Sequence, residues 1–167
     1  NGFSFFGGKC HLFFQYHPYS TQWGPMHWGH LCTSDFVRWE ILEPALAPDS
    51  DFDCEGCFSG TAIEFEDRHI LAYTGVSKNK KGETLQNQCL AEGDGLCYKK
   101  ILQNPVISAA NVPFEFQKGD FRDSKMWRED GKFYMACVLK MPDGKGALVC
   151  FRSENLLDWK FVSVIDK

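Results

Sequence analysis

Three stretches decide the fold: Gly8-Lys-Cys-His-Leu-Phe-Phe-Gln-Tyr16, Asp67-Arg-His-Ile-Leu-Ala-Tyr-Thr74 and Gly131-Lys-Phe-Tyr-Met-Ala-Cys137. Each opens on a turn residue and continues as a hydrophobic run that contains Tyr, the pattern of a short strand entered from a hairpin. His11 and Ile70 are 59 residues apart, and Ile70 and Phe133 are 63 apart. Behind each run comes a second marker: a strand, a polar turn and an aromatic. It reads Leu31-Cys-Thr-Ser-Asp-Phe-Val-Arg-Trp39, then Cys89-Leu-Ala-Glu-Gly-Asp-Gly-Leu-Cys-Tyr98, then Val149-Cys-Phe-Arg-Ser-Glu-Asn-Leu-Leu-Asp-Trp159. Trp39 to Tyr98 is 59 residues and Tyr98 to Trp159 is 61. A third marker precedes each hairpin, as Asn1-Gly2, Phe58-Ser59-Gly60 and Phe121-Arg122-Asp123.

A fixed period of about 60 residues signals a repeat architecture. The units offer short strands bounded by Gly, Asp and Asn, and no amphipathic helix of ten residues. The most helix-like segment, Glu154–Lys160, reads equally as a turn. The expected fold is therefore all-β, with four-stranded antiparallel sheets arranged as β-propeller blades. The blades fall at roughly residues 1–57, 58–120 and 121–167. Propellers close with about 4–8 blades, so three units are expected to be part of a larger ring or to need other chains to complete it.

Composition narrows the function classes. The chain has 167 residues, 44% of them hydrophobic and 24% charged, and 15 are Phe. A net charge of −4 does not favour nucleic acid, whose phosphates need a concentrated basic surface. No apolar run approaches the roughly 20 residues of a membrane-spanning helix. Residue 1 is not an initiator Met, so the natural start is expected upstream. The eight cysteines sit mostly in apolar strand-like runs, such as Lys9-Cys-His-Leu12 and Met135-Ala-Cys-Val138. They read as reduced, buried thiols of a cytoplasmic protein, not as a disulfide scaffold. Cys54-Glu-Gly-Cys57 has zinc-ligand spacing, but no second pair follows it. His27-Trp-Gly-His30 lies among loop and strand signals and reads as structural. Neither a metal nor a cofactor is expected.

In a propeller the first strand of each blade lines the central channel, so polar residues that start those strands converge. Asn1, Ser59, Arg122 and Asp123 hold these places. Any one alone is an ordinary turn or cap residue; four at repeat-equivalent positions point to a shared pocket. Arg122 beside Asp123 favours the ionised carboxylate. In a regular strand the two side chains would face opposite ways, so a common ligand requires a turn or bulge there. A carboxylate among hydroxyl and amide groups, Gln15 included, suits sugar chemistry. Trp23 and Phe58 offer flat apolar faces to a sugar ring, although each taken alone reads first as core packing in so aromatic a chain.

Taken together, Asn1-Gly2, His11-Leu-Phe-Phe-Gln-Tyr-His-Pro18, Trp23-Gly-Pro-Met-His-Trp-Gly-His30, Leu46-Ala-Pro-Asp49, Gly56-Cys-Phe-Ser-Gly-Thr-Ala62 and Phe121-Arg-Asp-Ser124 resemble glycoside hydrolase family 32. The resemblance runs over nearly the whole chain. It implies the first three of five propeller blades, with the remaining blades and a β-sandwich outside these residues. It also implies retaining hydrolysis of terminal β-D-fructofuranosyl bonds in sucrose, sucrose 6-phosphate or short fructans. By the same resemblance Asp123 is the transition-state stabiliser, Arg122 its neighbour in the subsite, and Asn1, Gln15, Trp23, Phe58 and Ser59 line the fructosyl pocket. The nucleophile would lie two positions before residue 1 and the acid/base beyond residue 167. The chain alone is accordingly expected to be inactive, and to self-associate through open propeller ends. The family's usual Arg-Asp-Pro reads Arg-Asp-Ser here, which removes a restraint on Asp123. Two other classes compete: a fructoside-binding propeller module without catalysis, and a propeller used as a protein-interaction platform.

Overall fold

The computed structural model describes residues 1–166. It contains twelve strands and one 3-10 turn. The strands form three four-stranded antiparallel sheets, each a meander in chain order. The first sheet holds β1 (Ser4–Phe6), β2 (Lys9–Tyr16), β3 (His27–Thr33) and β4 (Glu40–Leu46). The second holds β5 (Gly56–Phe65), β6 (Arg68–Lys78), β7 (Thr84–Gly93) and β8 (Tyr98–Lys100). The third holds β9 (Gln117–Glu129), β10 (Lys132–Lys140), β11 (Gly146–Ser153) and β12 (Lys160–Asp166). β1 lies beside β5, and β5 beside β9, so the first strands of the three sheets share one side, as blades around a channel do. Within the described residues no helix is long and apolar enough to cross a membrane.

The repeat has a local physical cause at each marker. The first hairpin of every sheet turns on two residues, both at positive φ: Gly7-Gly8 (55° and 75°), Glu66-Asp67 (50° and 56°) and Asp130-Gly131 (48° and 74°). Such turns twist in the same sense as the flanking strands. The last hairpin also recurs. The side-chain oxygens of Asp35, Asp94 and Asn155 each accept from the backbone N–H groups two and three residues on. The following residue is at positive φ each time: Phe36 at 59°, Gly95 at 90° and Leu156 at 68°. These side chains stand in for backbone turn bonds. The Glu154–Lys160 segment is this turn.

Sheet position sets the burial pattern. On β6 every residue from His69 to Ser77 is buried, because the middle sheet is covered on both faces. Leu71 and Tyr73 pack with Phe13, Trp28 and Leu46 of the first sheet. Ile70 and Ala72 pack with Phe121, Met126, Met135 and Phe151 of the third. β10 instead alternates buried and open residues, the sign of one covered face. The first sheet leaves Phe3, Phe5 and Ile41 exposed, and the third leaves Val138, Val162 and Ile165 exposed.

All eight thiols are free. Six are buried as expected, but Cys54 and Cys97 are exposed, because both sit in turns and not in strands. Cys57 is buried and donates to Asp53 at 3.7 Å, whereas Cys54 stands exposed in the turn before it. Among the described residues no group of three or more His, Cys, Asp or Glu side chains is placed to hold a metal ion.

Between the first two sheets lies a buried histidine cluster. His11 Nδ1 meets His30 Nε2 at 2.9 Å, and His69 stacks on Phe6 at 4.8 Å between ring centres. Burial, reinforced by the neighbouring imidazoles, pushes His30 down to about 4 and His69 down to about 3. Burial also lowers His11. Once unfolded, each regains an ordinary value near 6.5. The unfolded chain then binds more protons over the window from about 6.5 down to the folded values, so stability falls as pH falls through it. His30 and His69 are each expected to cost about 2 kcal/mol of stability between pH 7 and 5. Denaturant melts of the protein at the two pH values check this; equal midpoints would contradict it.

Candidate active site

The first strands of the second and third sheets each carry a β-bulge, and the backbone just before β1 carries an extra residue in the same way. On β5, Phe58 faces Thr74 while Gly60 faces Tyr73, which leaves Ser59 as the extra residue. On β9, Arg122 faces Val138 and Lys125 faces Ala136, so Asp123 and Ser124 oppose Cys137 alone. In the first sheet Asn1 and Phe13 exchange both backbone bonds, and Ser4 faces His11. Gly2 and Phe3 therefore stand against Leu12. A bulge re-aims side chains, which meets the turn required near Arg122-Asp123. Asp123 takes φ 58° there, a left-handed conformation that Asp tolerates better than most residues. Gly60 needs its missing side chain, since a Cβ would lie 1.9 Å from the Ala72 carbonyl oxygen.

These three stretches surround one cavity of about 520 Å³ lined by Asn1, Gly2 and Phe3, by Ser59, Gly60 and Thr61, and by Asp123, Ser124 and Lys125. That volume is in the range of small-molecule sites. Asn1 Nδ2 and Ser124 Oγ are both buried, and neither has a hydrogen-bond partner among the described residues. Buried polar atoms are nearly always partnered. Both belong to residues that line the cavity, although the two atoms themselves are closed to solvent. Ser124 enters here as a wall residue, a role its sequence signal did not suggest. What fixes the Asp123 backbone is the bulge, not a following proline ring.

The sequence candidates separate accordingly. Asn1, Ser59 and Asp123 come together on the cavity; Gln15, Trp23, Phe58 and Arg122 are not among its lining residues. Gln15 Nε2 donates to the Cys57 carbonyl at 3.2 Å. Phe58 meets Trp23 edge to face at 5.7 Å, and Trp23 is 74% exposed. The Arg122 guanidinium pairs with Asp120 at 2.6 Å and reaches the Asp123 carboxylate at 3.8 Å.

Side chains of the neighbouring sheet bond the backbone just before the second and third bulges, and a serine of β1 itself bonds the corresponding backbone in the first sheet. Trp28 Nε1 donates to the Phe58 carbonyl at 3.0 Å. In the first sheet Ser4 Oγ donates to the Gly2 carbonyl at 2.8 Å and meets His69 Nε2 at 2.9 Å. Ser4 has one proton, so His69 must carry its own on Nε2 and accept from Tyr98 at Nδ1, where the separation is 2.7 Å. That is the neutral imidazole which burial imposes. At the third bulge two glutamines of β7 grip Phe121.

Comparison with known proteins places the chain in a family. Residues 1–167 match the model of the glycosyl hydrolases family 32 N-terminal domain. A sucrose-6-phosphate hydrolase of Zymomonas mobilis is 40% identical over 99% of the chain, which covers 33% of that protein. The chain thus spans about a third of the length of this curated relative. Among solved structures, the Bombyx mori GH32 β-fructofuranosidase superposes with a TM-score of 0.86 at 38% identity, over 99% of this chain and 34% of that one. A variant of the same Bombyx mori enzyme is described in complex with sucrose. The sucrose-6-phosphate hydrolase of Lactobacillus gasseri superposes with a TM-score of 0.87 at 32% identity, over 99% and 33% of the two chains. With the family model matched from end to end and the fold shared with solved members, the chain belongs to glycosyl hydrolase family 32, as its N-terminal domain.

Proposed function

We propose that this chain is the portion of a retaining β-fructosidase that holds the fructosyl unit of sucrose, sucrose 6-phosphate or a short fructan. The convergence of the three sheets' inner edges on one cavity, with Asn1, Ser59, Asp123 and Ser124 lining it, carries this reading. In this role Asp123 stabilises the oxocarbenium-like transition state of glycoside cleavage. Asn1, Ser59 and Ser124 bind fructosyl hydroxyls. Arg122 orients Asp123 from beside it. The Trp23–Phe58 pair forms an apolar rim, and Gln15 supports that rim through Cys57. Retention uses two further carboxyl groups about 5–5.5 Å apart, which are assigned to the protein outside these residues.

The test is to assay the protein that carries this chain for fructose release, with sucrose and sucrose 6-phosphate in parallel. Fructose is expected to appear first as its β-anomer, followed by NMR before mutarotation. A protein that binds fructose without turnover would instead be the non-catalytic fructoside-binding module. A protein that neither binds nor cleaves fructosides would overturn both.

Eight free thiols support a cytoplasmic setting. The exposed apolar residues on the outer sheets support packing against further blades, or self-association of the isolated chain.

A further inference from the structure

We propose that Gln86 and Gln88 are positioning residues that hold the Asp123 bulge in register; the inference rests on the role of Asp123 proposed above. β9 is the innermost strand of its sheet, so one of its edges faces away from β10. The N–H and C=O groups along such an edge have no neighbouring strand. Gln86 and Gln88 are two apart on β7, so their side chains leave the same face, and both are buried. Gln86 Oε1 accepts from the Phe121 N–H at 3.0 Å. Gln88 Nε2 donates to the Phe121 carbonyl at 2.9 Å. Together they supply the donor and the acceptor that a neighbouring strand would have offered at Phe121. The partners also fix which end of each amide is which.

The grip extends toward the site on one side and is braced on the other. Gln86 Oε1 accepts a second bond from Arg122 Nη1 at 3.2 Å, and Arg122 is the residue next to Asp123. Gln88 Oε1 accepts from Thr74 Oγ1 of β6 at 3.0 Å. The backbone of Gln88 pairs with Ile107 of the connecting segment. The second sheet therefore holds the third sheet's backbone two residues before the carboxylate. At Asp123 the φ of 58° and the bulge remove the regular ladder. Among the described residues, these two amides supply the side-chain hydrogen bonds from β7 to the β9 backbone ahead of the bulge. A misplacement of about 1 Å in a reacting group costs on the order of 10²-fold in rate.

The experiment uses Gln86→Met and Gln88→Met, which keep length and remove the hydrogen bonds, and Gln86→Glu, which keeps the accepting oxygen. Fructoside hydrolysis is measured at a temperature where melting curves show each variant folded. Both Met variants are expected to lose about 10–100-fold in kcat with KM changed less than about threefold, and Gln86→Glu is expected to restore most of the loss. Met variants that are folded with wild-type kcat, or Gln86→Glu as impaired as Gln86→Met, overturn the inference. If the wild-type protein cleaves no fructoside, the functional reading fails. The positioning is then read from crystal structures of the Met variants: an unchanged Asp123 φ and carboxylate position overturns it, and a shifted bulge supports it.

Discussion

Replacing Asp123 by Asn is expected to lower kcat on a β-fructoside about 10²–10³-fold, the scale for removing one preorganised group aimed at developing charge. Glycosyl transfer builds positive charge on the sugar ring in the transition state, and a carboxylate on the cavity wall is worth more to that charge than to the neutral substrate. KM is therefore expected to change far less than kcat. Asn is the informative replacement because it keeps the size of the side chain and tolerates φ 58° about as well as Asp. Loss of activity then reports charge and not a collapsed bulge. Asp123→Ala is expected to lose at least as much activity and also some stability, because Ala adopts the left-handed region at a cost of about 1 kcal/mol. Steady-state kinetics alongside melting curves separate the two effects. A kcat within about threefold of wild type for Asp123→Asn would remove Asp123 from the transition state.

Asp53→Ala is expected to be the most destabilising single change, by about 3–5 kcal/mol, the cost of leaving one member of a buried ion pair alone. Asp53 is 0% exposed and sits in the connection between β4 and β5. Its Oδ2 lies 2.6 Å from Lys100 Nζ and accepts from Tyr73 at 2.7 Å. Burial raises both the Tyr73 phenol and the Cys57 thiol, so both stay neutral donors to this carboxylate. Lys100, on the edge strand β8, also donates to the Ala47 carbonyl at 2.6 Å and pairs with Asp49. One carboxylate thus ties the inter-sheet connection to the far edge of the second sheet. Without it, Tyr73 loses its acceptor in the core and the ammonium keeps only its outer partners. The melting temperature is expected to fall by roughly 10 °C or more. A fall under about 3 °C would mean that Asp49 and the Ala47 carbonyl satisfy Lys100 unaided.

Much of the fold was legible because the repeat is written in local chemistry. Two-residue turns at Gly7-Gly8, Glu66-Asp67 and Asp130-Gly131, and Asx turns at Asp35, Asp94 and Asn155, depend on residues close in the chain. A period of about 60 therefore shows in the sequence. The site was legible in part for the same reason: Asn1, Ser59 and Asp123 start repeat-equivalent strands, and a bulge at Arg122-Asp123 follows from the two-residue alternation of a strand. The phase of the other bulges was not. By ladder position Phe58 corresponds to Arg122 and not to Phe121, and a shift of one residue sends a side chain to the opposite face. In the second and third sheets Ser59 and Asp123 line the cavity and Phe58 and Arg122 do not, whereas Asn1, at the ladder position of Phe58 and Arg122, lines it in the first.

Gln86, Gln88 and Ser124 illustrate what distance in the chain hides. A glutamine in a strand reads as a solvated residue, since Gln is mostly exposed in proteins. Its partner Phe121 lies 33 residues from Gln88 and 35 from Gln86, and no spacing rule links them. Ser124 reads as a departure from a proline, yet its hydroxyl is buried and unpartnered on the cavity wall. The histidines behave likewise: His27 and His30 suggest a pair by spacing, whereas His30 contacts His11 and shares its cluster with His69.

By itself, then, the sequence determined the all-β architecture, the repeat of about 60 residues, the turn chemistry and the family, because each rests on interactions within a few residues or on motif order. Only the tertiary structure decided which polar residues share the cavity, which support it from the neighbouring sheet, and which strands are buried on both faces. Those outcomes depend on how one sheet packs on the next, and a single residue of register at a bulge turns a side chain to the opposite face.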